Sequence, residues 1–358
     1  MKIRASVFAL FTGLLLGLVA QAQQDVVRPI TGKEVEKFAA FDPVINAHMD
    51  HIGATAASFA VSLNGKIVYS RAYGWSDSEM KVPATPETTF RLASNSKPIT
   101  AAIMRQLISK KQALKLSTKV IPFLGIEPMG GKFGDERVND ITIEHLLFHK
   151  GGWDKSKTFD PTYRPKTISK AHGIKVGDLT KEHIVSYMLS HPLQYDPGEK
   201  YAYANIGYML LGMVIEKVTE KPYAETAKEF ADKLKVDIRI SATEIDERHE
   251  NEVHYPRESG LVVPLRDSLG GLTGSAESMC KFMKKYWTDG KRRKKKEKRS
   301  KFHSGTHPRS TNALIEQRKD GVDYALLFNS CRDKGRSEDI RLIRDKINAT
   351  IEKIKNSN

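Results

Sequence analysis

Hydrophobic and polar positions divide the chain into two β-rich ends and a helical middle. Near the N-terminus the runs ASFAVSL and KIVYSRAYG flank Asn64-Gly65, a dipeptide typical of a two-residue hairpin turn. Near the C-terminus three more β-like runs follow one another, KFHSGT, TNALIEQRK and VDYALLFNS, with Asp320-Gly321 between the last two. The pattern predicts five strands, two from the first end and three from the second.

The middle of the chain has a helical period. Residues 94–111 predict a helix because apolar residues recur at every fourth position. From about 115 to 235, short helical patterns alternate with connectors rich in glycine and proline. Further helices are predicted over 276–287 and over the C-terminal run SEDIRLIRDKINATIEKIK.

A helix is also predicted before the first strand. Thr31 and Glu34 have the spacing of a capping box, in which a threonine hydroxyl and a glutamate satisfy the first backbone groups of a helix. The segment that follows, EVEKFAAFDPVINAHMDHIG, is predicted to form one broken amphipathic helix.

These elements predict an α+β fold. An antiparallel sheet of about five strands is flanked by the terminal helices, and a mainly helical lobe is inserted between its two halves. Residues 23–93 plus 260–358 form the predicted α/β lobe, and residues 94–259 form the helical lobe. A functional site is expected in the cleft between the lobes.

Residues 1–22 have the features of a secretory signal peptide. Lys2 and Arg4 precede the 15-residue apolar run SVFALFTGLLLGLVA, and Ala22 ends a small-x-small cleavage site. The alternative, a membrane anchor, is weaker because a span needs about 20 apolar residues. We therefore expect export to the periplasm or the exterior, with cleavage near Ala22.

The chain of 358 residues has a formal charge of +15, and the tract at 291–301, KRRKKKEKRSK, carries much of it. The tract is interpreted either as a solvated loop or as a site for an anionic surface, such as cell-wall polymer or lipid head groups. Nucleic acid is not an expected partner, because no nucleic-acid-binding motif accompanies the tract.

Cys280 and Cys331 are expected to be buried, unpaired thiols, although a disulfide between them is also open.

The candidate nucleophile is a serine three residues before a lysine. This pattern is weak on its own, because it occurs three times: Ser78/Lys81, Ser94/Lys97 and Ser278/Lys281. Only Ser94 stands at a helix entry, where Pro98 suits the first turn and the N–H groups favour a developing oxyanion. The spacing brings Lys97 to the same face, so that its amine can activate the hydroxyl. Ser278 and Lys281 are expected on a solvated helix face, and the alternative for Ser94 is an ordinary helix start.

A second motif, Tyr203-Ala204-Asn205, follows a Pro-Gly turn and is the only Tyr-x-Asn in the chain. A tyrosine beside an ammonium group has a lowered pKa and is a candidate base, while Asn205 can donate and accept hydrogen bonds. The alternative is a capping asparagine next to a packed tyrosine.

A third motif is His303-Ser304-Gly305. His-x-Gly also occurs at His51 and His149, but those histidines end helices, whereas His303 begins a predicted strand that can form a cleft wall. Gly305 has no side chain, which would let a substrate backbone lie against that edge.

The three motifs, in this order, resemble those of the serine β-lactamase and penicillin-binding-protein superfamily. The class C β-lactamase-like branch, with its esterases and peptidases, is the most similar, and flanking segments such as FRLASNSKPITAAI and LGGLTGSAESMCKFM resemble it too. The likeness covers roughly residues 35–330. It implies a serine hydrolase that forms an acyl-enzyme on an ester, amide or β-lactam carbonyl, with a small-molecule or peptide substrate and no cofactor.

The resemblance also implies roles for the motif residues. Ser94 would be acylated, Lys97 and Tyr203 would handle its proton, and Asn205 would orient Lys97 and the substrate. His303 would take the place that lysine holds in true β-lactamases. The backbone N–H groups of Ser94 and Thr306 would form the oxyanion hole, so Ser304, Gly305 and Thr306 would line the substrate site.

Three features depart from the family pattern. His303 replaces lysine, Arg309 stands where the family often has glycine, and the interval from Tyr203 to His303 is short, at 100 residues. The histidine and the short interval favour a hydrolase of small esters or D-amino-acid-containing peptides, with weak or no β-lactamase activity.

Two other functions are open. His145 and His149 have the i, i+4 spacing of zinc ligands, but the pattern lacks the glutamate of H-E-x-x-H and a third ligand, so no metal is expected. A non-catalytic cell-wall-binding protein of the same fold would use the basic tract 291–301 instead of Ser94.

Overall fold

A computed structural model describes most of the chain. The described residues are 27–110, 114–241, 248–257, 262–294 and 300–357. The predicted signal peptide and the centre of the basic tract lie outside these ranges.

Nine strands are found in the described part of the chain. Their bounds are β1 (Ile30–Gly32), β2 (Ala56–Leu63), β3 (Lys66–Gly74), β4 (Phe90–Arg91), β5 (Ile238–Ile240), β6 (Leu272–Gly274), β7 (Lys301–His307), β8 (Thr311–Gln317) and β9 (Val322–Phe328). Six of them form one antiparallel sheet in the order β1-β3-β2-β9-β8-β7, and β4-β6-β5 form a small second sheet. The predicted antiparallel sheet is therefore confirmed, with its five predicted strands and the short edge strand β1 in addition.

The two predicted hairpin turns lie side by side. Asn64 and Gly65 have φ values of 51° and 78°, the left-handed pair that a type I′ turn requires. The backbone N–H of Asn64 donates to the carbonyl oxygen of Gly321, in the turn between β8 and β9, at 2.8 Å. This contact aligns β2 with β9, so the N-terminal and C-terminal strands join into one sheet.

The α-helices of the described residues are α1 (Phe41–Ile52), α2 (Ser96–Lys110), α3 (Val120–Leu124), α4 (Ile143–Leu147), α5 (Pro165–His172), α6 (Lys181–Leu189), α7 (Asn205–Thr219), α8 (Tyr223–Leu234), α9 (Asp267–Gly270), α10 (Ala276–Lys285) and α11 (Arg336–Asn356). Helices α1 and α11 cover one face of the large sheet, where Phe41 and Ile343 share an apolar core with Phe59 and Tyr324. The other face and the inserted helices share a second, larger core.

No helix among the described residues is long and apolar enough to cross a membrane. The lobe boundaries at residues 93 and 260 remain a prediction.

The predicted capping box near the N-terminus is wrong. Thr31 lies in β1, and its hydroxyl donates to the carbonyl oxygen of Ala84 at 2.6 Å. A single 3-10 turn, Glu36–Phe38, precedes α1, which begins only at Phe41. Pairing of β1 with β3 uses this segment as an edge strand, so the hydroxyl is not available to cap a helix.

Both cysteines are buried and free, as expected. The thiol of Cys331 points to the carbonyl oxygen of His307 at 2.9 Å, and that of Cys280 points to the carbonyl oxygen of Ala60 at 3.5 Å. Burial raises the pKa of each thiol, so neither is a reactive thiolate at neutral pH.

Candidate active site

Ser94 lies in a tight turn between β4 and α2. The turn is a single 3-10 unit, Ala93–Asn95, and Ala93 has a φ of 46° in the left-handed region. A non-glycine residue in this region costs about 1–2 kcal/mol. Such strain persists only where the surroundings fix the backbone, and it places Ser94 at the start of α2.

Strand β7 supplies part of that support, and Gly305 has a structural role in it. A Cβ atom at this glycine would lie 2.4 Å from the carbonyl oxygen of Leu92 and 2.7 Å from the backbone nitrogen of Ser94. The missing side chain therefore makes room for the protein's own serine turn, and a substrate backbone against this edge stays a prediction. The same distance shows that the backbone of β7 runs directly beside the amide of Ser94.

Lys97 projects from the first turn of α2 toward Ser94. Its Nζ lies 3.2 Å from Ser94 Oγ and donates to the carbonyl oxygen of Leu269 at 2.6 Å. The side chain is 1% exposed. Burial, with the positive charges of Arg266 and Lys155, holds the pKa of Lys97 well below its usual value, and Asp160 opposes this in part. A neutral amine at this position can accept the proton of the serine hydroxyl.

Tyr203 reaches Ser94 from the loop before α7. Its hydroxyl donates to Ser94 Oγ at 2.8 Å. The prediction of a lowered tyrosine pKa is wrong: burial raises the pKa of Tyr203, and the hydrogen bond to Ser94 offsets only part of this. Lys97 does not supply the expected lowering, because its Nζ lies over the tyrosine ring, 5.0 Å from the centroid, and makes no hydrogen bond to the phenol oxygen.

Asn205 is placed differently from the expectation. Its Nδ2 donates to Asp160 Oδ2 at 2.6 Å, and its Oδ1 has no hydrogen-bond partner among the described residues. The structure does not bring Asn205 into hydrogen-bond contact with Lys97. The backbone carbonyl of Leu269 orients the amine instead, a contact for which the sequence has no side-chain signal.

His303 lies on β7 at the wall of the cleft. Its Nδ1 donates to Asn95 Oδ1 at 3.0 Å, which links the third motif to the residue after the nucleophile. Burial and the nearby Lys97 lower the pKa of His303 to about 3. The imidazole is therefore neutral near pH 7, and Nε2 is left as a hydrogen-bond acceptor.

Sequence reasoning missed the role of His149. Its ring packs against that of Tyr203 at a tilt of 31°, with 4.4 Å between centroids, and its Nδ1 accepts a hydrogen bond from the backbone N–H of Ala204 at 3.4 Å. Burial lowers the pKa of His149 to about 3, so the ring is a neutral support for the tyrosine. His145 makes a separate contact, accepting from the backbone N–H of Thr142 at the start of α4. The described residues contain no cluster of three metal-ligating side chains.

The other Ser-x-x-Lys pairs have ordinary contacts. Ser78 lies in an exposed turn in which Lys81 pairs with Glu79. The prediction of a solvated face is wrong for Ser278, which is 4% exposed and accepts a hydrogen bond from the backbone N–H of Asp237. Its hydroxyl also accepts a hydrogen bond from the hydroxyl of Ser275, the residue that caps α10, at 3.1 Å.

The motif residues share one open cavity of about 920 Å³. Ser94, Tyr203 and Asn205 line it together with His303, Ser304 and Thr306. Four basic side chains also line it, and the described residues of its wall include no carboxylate. These basic residues are Lys155, Arg336, Arg341 and Arg344.

Comparison with known families agrees with this geometry. The family model described as Beta-lactamase matches residues 41–328, which is most of the chain and spans all three motifs. The chain belongs to the beta-lactamase family. The fold and the antiparallel sheet described above are those of a member of the serine β-lactamase and penicillin-binding-protein superfamily.

Individual relatives are more distant. A putative D-alanyl-D-alanine carboxypeptidase of Escherichia coli (strain K12) is 27% identical over 277 residues, covering 68% of this chain and 61% of that protein. The D-amino acid amidase of Ochrobactrum anthropi SV3 superimposes with a TM-score of 0.69 at 19% identity, covering 90% of this chain and 99% of the amidase chain. An octameric penicillin-binding protein homologue from Pyrococcus abyssi has a TM-score of 0.62 at 21% identity, covering 83% and 74%. These solved structures support the shared fold.

Proposed function

We propose that the chain is a serine hydrolase that cleaves small esters or D-amino-acid-containing peptides through an acyl-enzyme on Ser94. The observation that carries this proposal is the pair of contacts at one oxygen: Lys97 Nζ at 3.2 Å and Tyr203 OH at 2.8 Å from Ser94 Oγ. The E. coli relative is named as a carboxypeptidase and the O. anthropi structure as an amidase, which supports peptide or amide bonds as substrates.

The pKa directions support the following proton steps. Lys97, with its lowered pKa, takes the proton of Ser94 as Oγ forms a bond to the substrate carbonyl carbon. Tyr203 stays protonated, so its hydroxyl can pass a proton to the leaving alcohol or amine as that bond breaks, and it regains one from Lys97. Water then attacks the acyl carbon and gives one proton to the amine of Lys97, and Lys97 passes this proton to Ser94 Oγ as the bond between Oγ and the acyl carbon breaks. The backbone N–H groups of Ser94 and Thr306 are the proposed donors to the oxyanion.

The cavity supports a substrate with a free carboxylate near the scissile bond. Arg336 and Arg341 project from α11 into the cavity that contains Ser94, and attraction to an anion would hold a C-terminal carboxylate there. The neutral His303 accepts a hydrogen bond where a family lysine would offer a positive charge. This difference supports esters and peptides over β-lactam antibiotics.

Covalent labelling tests the nucleophile. Intact-mass measurement after incubation with a fluorescent penicillin or a fluorophosphonate should show one adduct, and it should map to Ser94. Ser94→Ala should abolish the label, whereas Ser78→Ala, in an exposed Ser-x-x-Lys pair, is the matched control and should keep it. A substrate panel then ranks p-nitrophenyl acetate, a D-alanyl-D-alanine peptide and a cephalosporin. Efficient turnover of the cephalosporin alone would contradict the proposed substrate class.

A second candidate function is attachment to an anionic surface. A groove of about 400 Å³ at the C-terminal end of α2 is lined by Arg105, Lys110, Lys291, Arg292 and Lys294, and by no carboxylate among the described residues. This surface belongs in part to the basic tract, and its charge supports binding to lipid head groups or cell-wall polymer. Sedimentation with anionic vesicles should be salt-sensitive and should fall in the variant Lys291→Gln/Arg292→Gln. Unchanged sedimentation of this variant would exclude the groove.

We also propose that the chain is exported. The charged start and the apolar run of residues 1–22 support removal of a signal peptide after Ala22. N-terminal sequencing of the protein recovered outside the cytoplasm should begin at Gln23. A mature protein that keeps Lys2 would contradict export by this route.

A further inference from the structure

A second cavity adjoins the catalytic one. It has a volume of about 730 Å³ and shares Lys155 and Tyr163 with the cavity that contains Ser94. Lys155 Nζ lies 4.8 Å from the centroid of the Tyr203 ring. Lys155 therefore connects this cavity to the surroundings of the reacting hydroxyl. A substrate that occupies the catalytic cavity can therefore extend into this second space.

The second cavity is strongly basic. Lys155, Arg164, Lys166 and Arg266 line it, and Asp160 is the one carboxylate among its described lining residues. Asp160 is already engaged, because Oδ2 accepts from Asn205 Nδ2 and Oδ1 accepts from the backbone N–H and the hydroxyl of Thr162. The four positive charges thus exceed the negative charge available to them within the cavity.

Arg266 is the most unusual of these residues. It is 3% exposed, its guanidinium carbon lies 4.0 Å from the centroid of the Tyr163 ring, and Nη1 donates to the carbonyl and the hydroxyl oxygens of Thr162. No carboxylate of the described residues forms an ion pair with it, and its Nε has no hydrogen-bond partner there. A buried charge is costly unless an opposite charge compensates it, and a guanidinium stacked on a ring keeps its edge for a carboxylate.

We propose that this cavity is a subsite for a carboxylate on the acyl part of the substrate, remote from the scissile bond. The inference rests on the proposed hydrolase function and adds a substrate class to it: acyl donors with an acidic side group. Arg266 binds this carboxylate at the base of the subsite, and Lys155, Arg164 and Lys166 attract it from the rim.

A pair of esters tests this subsite. The mono-p-nitrophenyl ester of glutaric acid carries a free carboxylate on its acyl part, and the corresponding glutaramic ester carries an uncharged amide of similar size. The ratio of kcat/KM for the acid over the amide should be about tenfold or more, since a charge-assisted hydrogen bond in a buried site is worth that factor. The ratio should fall as ionic strength rises.

Variants locate the effect. The ratio should fall toward one in Arg266→Gln and in the double variant Arg164→Gln/Lys166→Gln. Both residues of the double variant are exposed, so this variant folds even where Arg266→Gln does not. Lys170→Gln, on the same helix but outside the cavity, is the matched control and should keep the wild-type ratio. Equal acylation of Ser94 by both esters would overturn the subsite and leave the hydrolase intact. Acylation by neither ester would overturn the hydrolase itself.

Discussion

Lys97 Nζ donates a 2.6 Å hydrogen bond to the carbonyl oxygen of Leu269, a residue 172 positions further along the chain. This contact holds the amine beside Ser94 without placing a negative charge next to it. A carboxylate in the same position would favour the ammonium form and remove the lone pair that activation of the serine requires. A neutral backbone acceptor thus fixes the geometry and leaves the effect of burial on the pKa of Lys97 in place.

The first prediction concerns the pH dependence of catalysis. Because Lys97 must be neutral to accept a proton, kcat/KM should rise with pH through the pKa of this residue. Lys155 lowers this pKa and Asp160 raises it. Lys155→Gln should therefore move the acid limb of the profile to higher pH, and Asp160→Asn should move it to lower pH. Lys170→Gln is the control for a lost surface charge. Shifts of the same sign in both variants would contradict the role of Lys97.

The second prediction separates the tyrosine hydroxyl from its ring. Tyr203→Phe keeps the ring contact with His149 and removes only the donor to Ser94 Oγ. The loss of a positioned proton donor should lower kcat/KM about 10²–10⁴-fold, while the free energy of unfolding changes little. Steady-state kinetics and urea unfolding of the variant measure the two quantities. An active Tyr203→Phe enzyme would show that the phenol takes no part in proton transfer.

The third prediction concerns the glycine behind the nucleophile. In Gly305→Ala the new methyl group would collide with the carbonyl of Leu92 and the amide of Ser94. Forced overpacking should cost about 1–3 kcal/mol of stability. Displacement of the serine turn should lower kcat about 10²-fold.

Gly177→Ala is the matched control for this variant. Residue 177 has open space around its Cβ position and no left-handed φ, so its substitution should change neither activity nor stability substantially. If Gly305→Ala had the activity of the control, β7 would not support the serine turn.

Elements with a strong local signal could be predicted from the sequence. The strands around Asn64-Gly65 and Asp320-Gly321 were evident because turn residues and β-rich runs agree with each other. Helix α2 was evident from its period, and its observed range, Ser96–Lys110, differs from the prediction mainly at the start. The three residues before α2 form the strained turn that carries Ser94. Tertiary contact with β7 determines the conformation of that turn.

Features that depend on distant contacts could not be predicted. Thr31 enters an edge strand because β3 is available to pair with it, and no local pattern contains that information. The sequence predicts a lowered pKa for Tyr203, but burial raises it, and Lys97 Nζ lies over the ring face and not beside the phenol oxygen. Similarly, Asn205 turns to Asp160, a residue in a loop that carries no motif.

The last prediction concerns stability and a carboxylate outside the active site. Asp323 lies in β9, is fully buried, and pairs with Arg293 of the basic tract, while its Oδ1 has no partner among the described residues. Burial raises the pKa of Asp323 from 3.8 to about 6, and the arginine offsets this only in part. Between these two values the folded chain holds a proton at Asp323 that the unfolded chain has released.

Stability must therefore fall as pH rises from about 4 to about 6, and this contribution should be constant at higher pH. Asp323→Asn cannot titrate and serves as the reference, so that all other carboxylates cancel in the comparison. The free energy of unfolding in urea is measured for both proteins at several pH values between 4 and 8. The value for the wild type minus that for the variant should decrease from about pH 4 to about 6 and stay constant at higher pH. A difference that increased over the same window would mean that Arg293 stabilises the charged carboxylate more than burial destabilises it.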